Sequence, residues 1–100
     1  MVNNKFSEVF VYDADMFRDY RGDIWTTYKK KTFPLDLDFV HDKYSSSRKN
    51  VIRGIHGDYK TWKMVSCLHG ELYFVVVDNR PESETYLQWA WMMLDSKERK

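Results

Sequence analysis

The densest polar constellation in the chain is Arg53-Gly54-Ile55-His56-Gly57-Asp58, followed by Lys63. A histidine titrates near neutral pH, so beside an arginine and a lysine it suits removal of a proton next to a carbonyl together with binding of a diphosphate. Taken by residue type alone the signal is weak: such a histidine more often takes a structural or solvated place at a strand end, and Lys63 that of a solvated charge. In a straight strand Arg53 and His56 point to opposite faces, because side chains alternate. A bulge or twist at Gly54 brings them together, and glycine within a strand marks such a bulge or a close backbone approach. His41 and His69 lie many residues from His56 and lack ligand spacing, which places them at the surface or at strand ends rather than on a metal. Cys67 alternates with Lys63 and Val65 on one face and reads as a buried, inert thiol. The run Lys29-Lys30-Lys31 reads as a solvated loop.

The elements that must position these residues are strands. β-Branched and aromatic residues fall in short runs separated by turn-forming or charged residues, which predicts strands near 8–12, 23–30, 38–44, 50–56, 62–69, 71–78 and 85–94. The best helical stretch, Asp13 to Tyr20, could be capped by Asp13 or Asp15, but Gly22 follows too soon and a turn or loop is expected. Asp78-Asn79-Arg80-Pro81-Glu82-Ser83 has the composition of a loop between hairpin strands. In Leu72 to Val77 both alternating faces are apolar, so this strand is expected to be covered on both sides, as in a sandwich or small barrel. Leu87, Trp89, Trp91 and Met93 share one face, read as core packing, with a stacking platform for a base as the alternative.

A chain of 100 residues is expected to make one unit, and a hydrophobic content of 43% with 17% aromatics excludes a disordered chain. Sixteen basic residues against fifteen acidic ones leave a net charge of +1, too small to argue for nucleic acid or a membrane surface as partner. A single cysteine forms no internal disulfide, the start MVNNKFSEVF has no signal-peptide pattern, and the longest apolar run is far too short for a spanning helix. A soluble, cytoplasmic protein is expected.

Four ordered blocks then make the pattern specific. Phe39-Val40-His41-Asp42-Lys43-Tyr44-Ser45-Ser46-Ser47-Arg48-Lys49-Asn50-Val51-Ile52-Arg53-Gly54-Ile55-His56 is similar, without a gap, to F-V-Q-D-N-x-S, a short basic stretch, then V-L-R-G-L-H. Lys63 to Leu72 is similar to K-L-V-R-V-x-x-G-E-V, Val77-Asp78-Asn79-Arg80 to V-D-L-R, and Phe17-Arg18-Asp19-Tyr20-Arg21-Gly22 to F-x-D-x-R-G. These are motifs of the dTDP-4-dehydrorhamnose 3,5-epimerase family, which the chain resembles over about residues 9 to 96. The resemblance implies an all-β, cupin-like barrel (a double-stranded β-helix, or jelly roll), with residues 1–100 forming its N-terminal half or slightly more, truncated at the C-terminus.

The resemblance also implies roles. His56 would be the base beside the C4 ketone of a 4-keto-6-deoxy sugar, Lys63 would steady the enolate oxygen, Arg53 with Ser45 would hold the substrate, and Arg21 would contact the nucleotide diphosphate. The acid on the opposite face is, in the family, a tyrosine on a later strand, and an aspartate orienting the histidine comes later still; Tyr59, Tyr73 and Tyr86 do not occupy the matching place. Metal-binding cupins present H-x-H with a glutamate nearby, whereas His56 precedes Gly57-Asp58. No metal and no redox cofactor are implied. Departures from the pattern are Thr26 for a glutamate, His41-Asp42-Lys43 for Gln-Asp-Asn, and Gly57-Asp58 for Phe-Gln. This variant spelling is similar to bacterial epimerases of GDP-linked 4-keto-6-deoxy-heptoses, which leaves GDP- and dTDP-linked sugars both open as partners. A homodimer is expected by analogy with the family. The competing classes are a non-catalytic cupin-like module that binds a sugar nucleotide and a purely structural all-β domain, the latter disfavoured by joint retention of Arg53, His56 and Lys63.

Overall fold

A computed structural model describes residues 2–58 and 60–97. Strands are the only regular elements among them: β1 (Val2–Asn3), β2 (Met16–Asp19), β3 (Gly22–Trp25), β4 (Glu71–Val77) and β5 (Trp89–Asp95). The described chain is thus all-β, with small antiparallel sheets. Two compact units are distinguished, residues 1–27 with 65–100, and residues 28–64.

In the first unit β5 is the central strand of a three-stranded sheet of order β1-β5-β4. The pairs run from Glu71 with Asp95 to Val77 with Trp89, so the two apolar runs form one long hairpin. The open end is closed by Gly70, whose N–H donates to Ser96 Oγ at 3.1 Å while its carbonyl accepts from Ser96 N at 3.0 Å. At the other end the loop expected after Val77 is present, and it reaches to Gln88, with Leu87 in the left-handed region at φ 64°. Strand β5 therefore starts at Trp89, later than the predicted residue 85.

The buried face of β5 carries Ala90, Met92 and Leu94, which with Phe6 make the apolar core of this unit. The opposite face, with Trp89, Trp91 and Met93, was the expected core and is half-buried or exposed. Alternation is as expected, but the sheet has turned its smaller residues inward and left the tryptophans partly wet. Strand β4 is also less covered than its composition predicts. It is an edge strand with Leu72 and Tyr73 exposed, because among the described residues β5 alone pairs with it.

The second sheet is a hairpin of β2 and β3 joined by Tyr20-Arg21, with Asp19 opposite Gly22. Gly22 takes φ 134°, which a side chain would resist, and so turns the chain where neither Tyr20 nor Arg21 adopts positive φ. The turn or loop expected over 13–20 is thus partly strand. Arg18 and Asp23 face each other across the pair, with Nε to Oδ1 at 2.8 Å, giving Met16–Asp19 a partner that its own composition did not announce.

Residues 8–12, 38–44, 50–56 and 62–69 are not strands. Near residue 8 the reason is local: Asn4 donates Nδ2 to Val9 O at 2.8 Å, accepts from Phe6 N at 3.1 Å, and Val9 N donates to Phe6 O, so side chain and turn take the groups a strand would pair. In the other stretches no strand lies alongside among the described residues, and Val40 and Ile52 are each 93% exposed. β-Branched composition gives a strand only where a neighbour supplies hydrogen bonds and burial. The unit 28–64 is held by an aromatic triangle instead: Tyr28, Phe33 and Phe39 meet edge to face with centroids 5.2–5.5 Å apart, Tyr28 Oη donates to Leu37 O, and Lys30 pairs with Asp38. The middle of the Lys29-Lys30-Lys31 run is therefore an ion-pair partner as well as a solvated charge.

Candidate functional site

Four of the five candidate residues, Ser45, Arg53, His56 and Lys63, lie in the unit 28–64, all exposed. This unit carries nine Lys and Arg against four Asp, an excess of positive charge, whereas the rest of the chain has seven basic residues against eleven acidic ones. A local cationic field is what an anionic ligand requires.

Arg53 is the most firmly placed of the four. A turn at Arg48 to Val51, with Val51 N donating to Arg48 O at 3.3 Å and Asn50 at φ 68°, reverses the chain. Asparagine tolerates that conformation better than most residues, which is why the reversal falls there. It brings Arg53 back onto the serine run: Nε donates to Ser47 Oγ at 2.8 Å and Nη2 to the Ser46 carbonyl at 3.2 Å. Ser45, expected to work beside Arg53, makes no hydrogen bond to a described residue; its two neighbours make the contacts.

Beyond Arg53 the backbone passes Gly54 at φ 98°. The His56 ring lies back toward it, since a Cβ on Gly54 would sit 3.8 Å from His56 Cδ2. Glycine here leaves the histidine room on a backbone that side chains rarely adopt. His56 forms no hydrogen bond with a described residue. Asp58, absent from the expected site, organises the turn that leads to Lys63: its Oδ1 accepts from Lys60 N, Thr61 N and Thr61 Oγ1, each at 2.8 Å. Hydrogen bonding by the Thr61 hydroxyl, then by the two backbone N–H groups, and the nearby charge of Lys63 hold the Asp58 carboxyl below its usual range. The spacing Asp58-x-x-Thr61 was the sequence signal for this turn.

Arg21 stands at the tip of the β2–β3 hairpin in the other unit. Its guanidinium is already committed to Asp19, with Nη2 to Oδ2 at 2.7 Å, and lies 5.8 Å from the Tyr20 ring centroid. That pairing lowers the Asp19 pKa. An anion meeting Arg21 has to share it with Asp19. The Val77-Asp78-Asn79-Arg80 block proves to be the start of a loop network: Asp78, 6% exposed, accepts from Arg80 Nε at 2.9 Å and Nη2 at 3.0 Å, from Ser83 Oγ at 2.6 Å, and from Thr85 Oγ1. Cys67 is half-buried rather than buried, and its thiol points to the Gly70 carbonyl at 3.3 Å.

The family profile described as dTDP-4-dehydrorhamnose 3,5-epimerase matches residues 3–100. The chain belongs to this family. Among its relatives are the dTDP-4-dehydrorhamnose 3,5-epimerases of Salmonella typhimurium, 33% identical over all of this chain and 58% of the relative, and of Escherichia coli, 31% identical over 96% of this chain and 56% of the relative. A relative of the same name, from Methanothermobacter thermautotrophicus, is 28% identical over 99% of this chain and 56% of its own length. The chain thus spans a little over half the length of these epimerases. Arg53, His56, Lys63 and Arg21 all fall within the matched residues.

Proposed function

We propose that the intact protein epimerises C3, C5 or both of a nucleotide-diphosphate-linked 4-keto-6-deoxy sugar, hexose or heptose, in deoxysugar and surface-polysaccharide synthesis. The observation that carries this reading is the family match over residues 3–100. The C4 ketone acidifies the neighbouring C–H. His56 takes that proton, the C–H electron pair moves into an enolate, and Lys63 stabilises the charge that develops on O4. A proton delivered to the opposite face inverts the centre and restores the ketone. Arg53 with Ser45, and Arg21, hold the substrate and its diphosphate through charge-assisted hydrogen bonds. Proton transfer at a preformed ketone changes no oxidation state overall, so the reaction as written calls for no redox cofactor.

We assign the opposing acid and the carboxylate that orients His56 to the length the relatives have and this chain does not span. The same reading makes residues 1–100 the first part of a cupin-like barrel that is homodimeric when intact. For the nucleotide, the relatives' names point to dTDP, while Thr26, His41-Asp42-Lys43 and Gly57-Asp58 favour GDP. Parallel titrations with GDP and dTDP discriminate them.

The deciding experiment follows solvent deuterium at C3 and C5. In the intact protein, His56→Asn is expected to abolish incorporation while nucleotide-sugar binding stays within about tenfold, roughly 1.4 kcal/mol. Exchange at the wild-type rate in the variant removes His56 from the mechanism.

A further inference from the structure

Arg53 is a long, exposed side chain, and an exposed arginine by itself wanders among rotamers whose loss on binding weakens any ligand contact. Here it is tethered. Its Nε donates to Ser47 Oγ at 2.8 Å and one Nη2 hydrogen goes to the Ser46 carbonyl at 3.2 Å. A guanidinium has five N–H donors in a fixed plane. Two are spent on the serine run, which leaves both Nη1 hydrogens and one on Nη2, the end-on fork that meets two oxygens of a phosphate or a ketone-bearing sugar. Ser47 therefore holds the one edge of the guanidinium that a ligand does not need. The contact spans six residues in sequence and exists because the chain reverses at Arg48 to Val51 over Asn50.

We infer that Ser47, rather than acting on substrate itself, is the positioning residue for Arg53, fixing the guanidinium so that its free fork faces the anionic sugar nucleotide. This rests on the reading above that Arg53 binds substrate. Ser46 contributes only its backbone carbonyl, so its side chain is replaceable, whereas the Ser47 hydroxyl is not. Threonine keeps the hydroxyl and valine keeps threonine's shape without it, and comparison of these two variants isolates the hydrogen bond from any change in the loop.

The experiment titrates dTDP-glucose and GDP-mannose as probes into the intact protein, continuing with whichever binds, and compares wild type, Ser47→Thr, Ser47→Val, Arg53→Gln and the double variant Ser47→Val with Arg53→Gln. Ser47→Val is expected to bind about fivefold more weakly than Ser47→Thr, as for loss of one charge-assisted hydrogen bond at an exposed site. In the Arg53→Gln background the valine is expected to cost nothing further, because a residue that acts through Arg53 has nothing left to position. A merely structural serine would instead weaken binding equally in both backgrounds, and that result overturns the inference while leaving Arg53 as a ligand. Equal binding by Ser47→Val and Ser47→Thr with Arg53 present overturns it too. Wild-type affinity in Arg53→Gln sinks the binding role of Arg53 itself, and the inference with it.

Discussion

Asp78 shows how much a single carboxylate holds in this chain. It sits at the start of the β4–β5 loop, nearly buried, and every oxygen is used: Arg80 closes on it from two nitrogens, Ser83 and Thr85 donate hydroxyls, and Arg80 reaches on to Glu8 at 2.8 Å. The Arg80 guanidinium first, then the Ser83 and Thr85 hydroxyls, hold the carboxyl far below its ordinary value of 3.8. On acidification the unfolded chain takes the proton first, near that ordinary value, while the folded chain resists. The network therefore stabilises the fold in full above about pH 4 and loses its contribution progressively as pH falls below the unfolded value. Thermal melts of Asp78→Asn are expected to be lower than wild type at neutral pH and to converge with it between about pH 4 and 2. Parallel melting curves across that range would show that the carboxylate charge is not what the loop uses.

At the scale of elements, the β4–β5 hairpin is the best-specified part of the molecule. Two apolar runs flank a stretch rich in turn formers, and their register pairs Leu72 with Leu94 and Phe74 with Met92 on one face and Tyr73 with Met93 on the other. The two faces differ in what they contribute. Leu94 and Met92 lie in the core, so Leu94→Ala is expected to cost about 2–4 kcal/mol in urea unfolding, through lost burial and the cavity left behind. Trp89, half exposed on the opposite face, is expected to cost under about 1 kcal/mol when changed to alanine. A reversed order would mean that the tryptophan face, not the alanine face, is the one that packs. The β2–β3 hairpin depends more on its turn. Gly22→Ala has open space for its methyl but must adopt φ 134°, so it is expected to destabilise by strain rather than by clash.

Across the whole molecule the prominent feature is how much apolar surface the chain 1–100 leaves in water. Phe17 and Ile24 oppose each other on one face of their hairpin at 75% and 70% exposure, and Val40, Ile52, Trp62 and Trp89 are also exposed. Strand β4 has its outer edge unpaired among the described residues. Bare apolar faces and open strand edges associate. The 100-residue chain is therefore expected to sediment as a concentration-dependent mixture and, under the proposed assignment of the opposing acid to length it does not span, to show little or no deuterium exchange into substrate. A monomer that turns over at the rate of a protein as long as the relatives would contradict both the surface and the assignment of the opposing acid. The positive excess in residues 28–64 adds an electrostatic expectation: affinity for the proposed sugar-nucleotide ligand falls as salt rises from about 0.05 to 0.5 M, because the screening length shortens to a few ångströms.

Much of this was legible in the residues themselves. The all-β character follows from short β-branched and aromatic runs, the β4–β5 loop from its turn formers, and the family from blocks such as Arg53-Gly54-Ile55-His56 whose order and spacing are properties of one dimension. The types of residue in the candidate site belong to the same class of knowledge. Tertiary structure decided which of the predicted runs became strands, since Val40 and Ile52 lie in runs read as strands, as Leu72 to Val77 was, yet have no partner strand among the described residues. It also decided that Ala90, Met92 and Leu94, not the tryptophans, face inward, and that the Ser47 hydroxyl and Ser46 carbonyl hold Arg53. Periodicity names two faces without saying which is buried, and a hydrogen bond across a chain reversal depends on the turn at Asn50. Pairing, burial and tethering are relations between residues brought together in space, and they take their values only once the chain has folded.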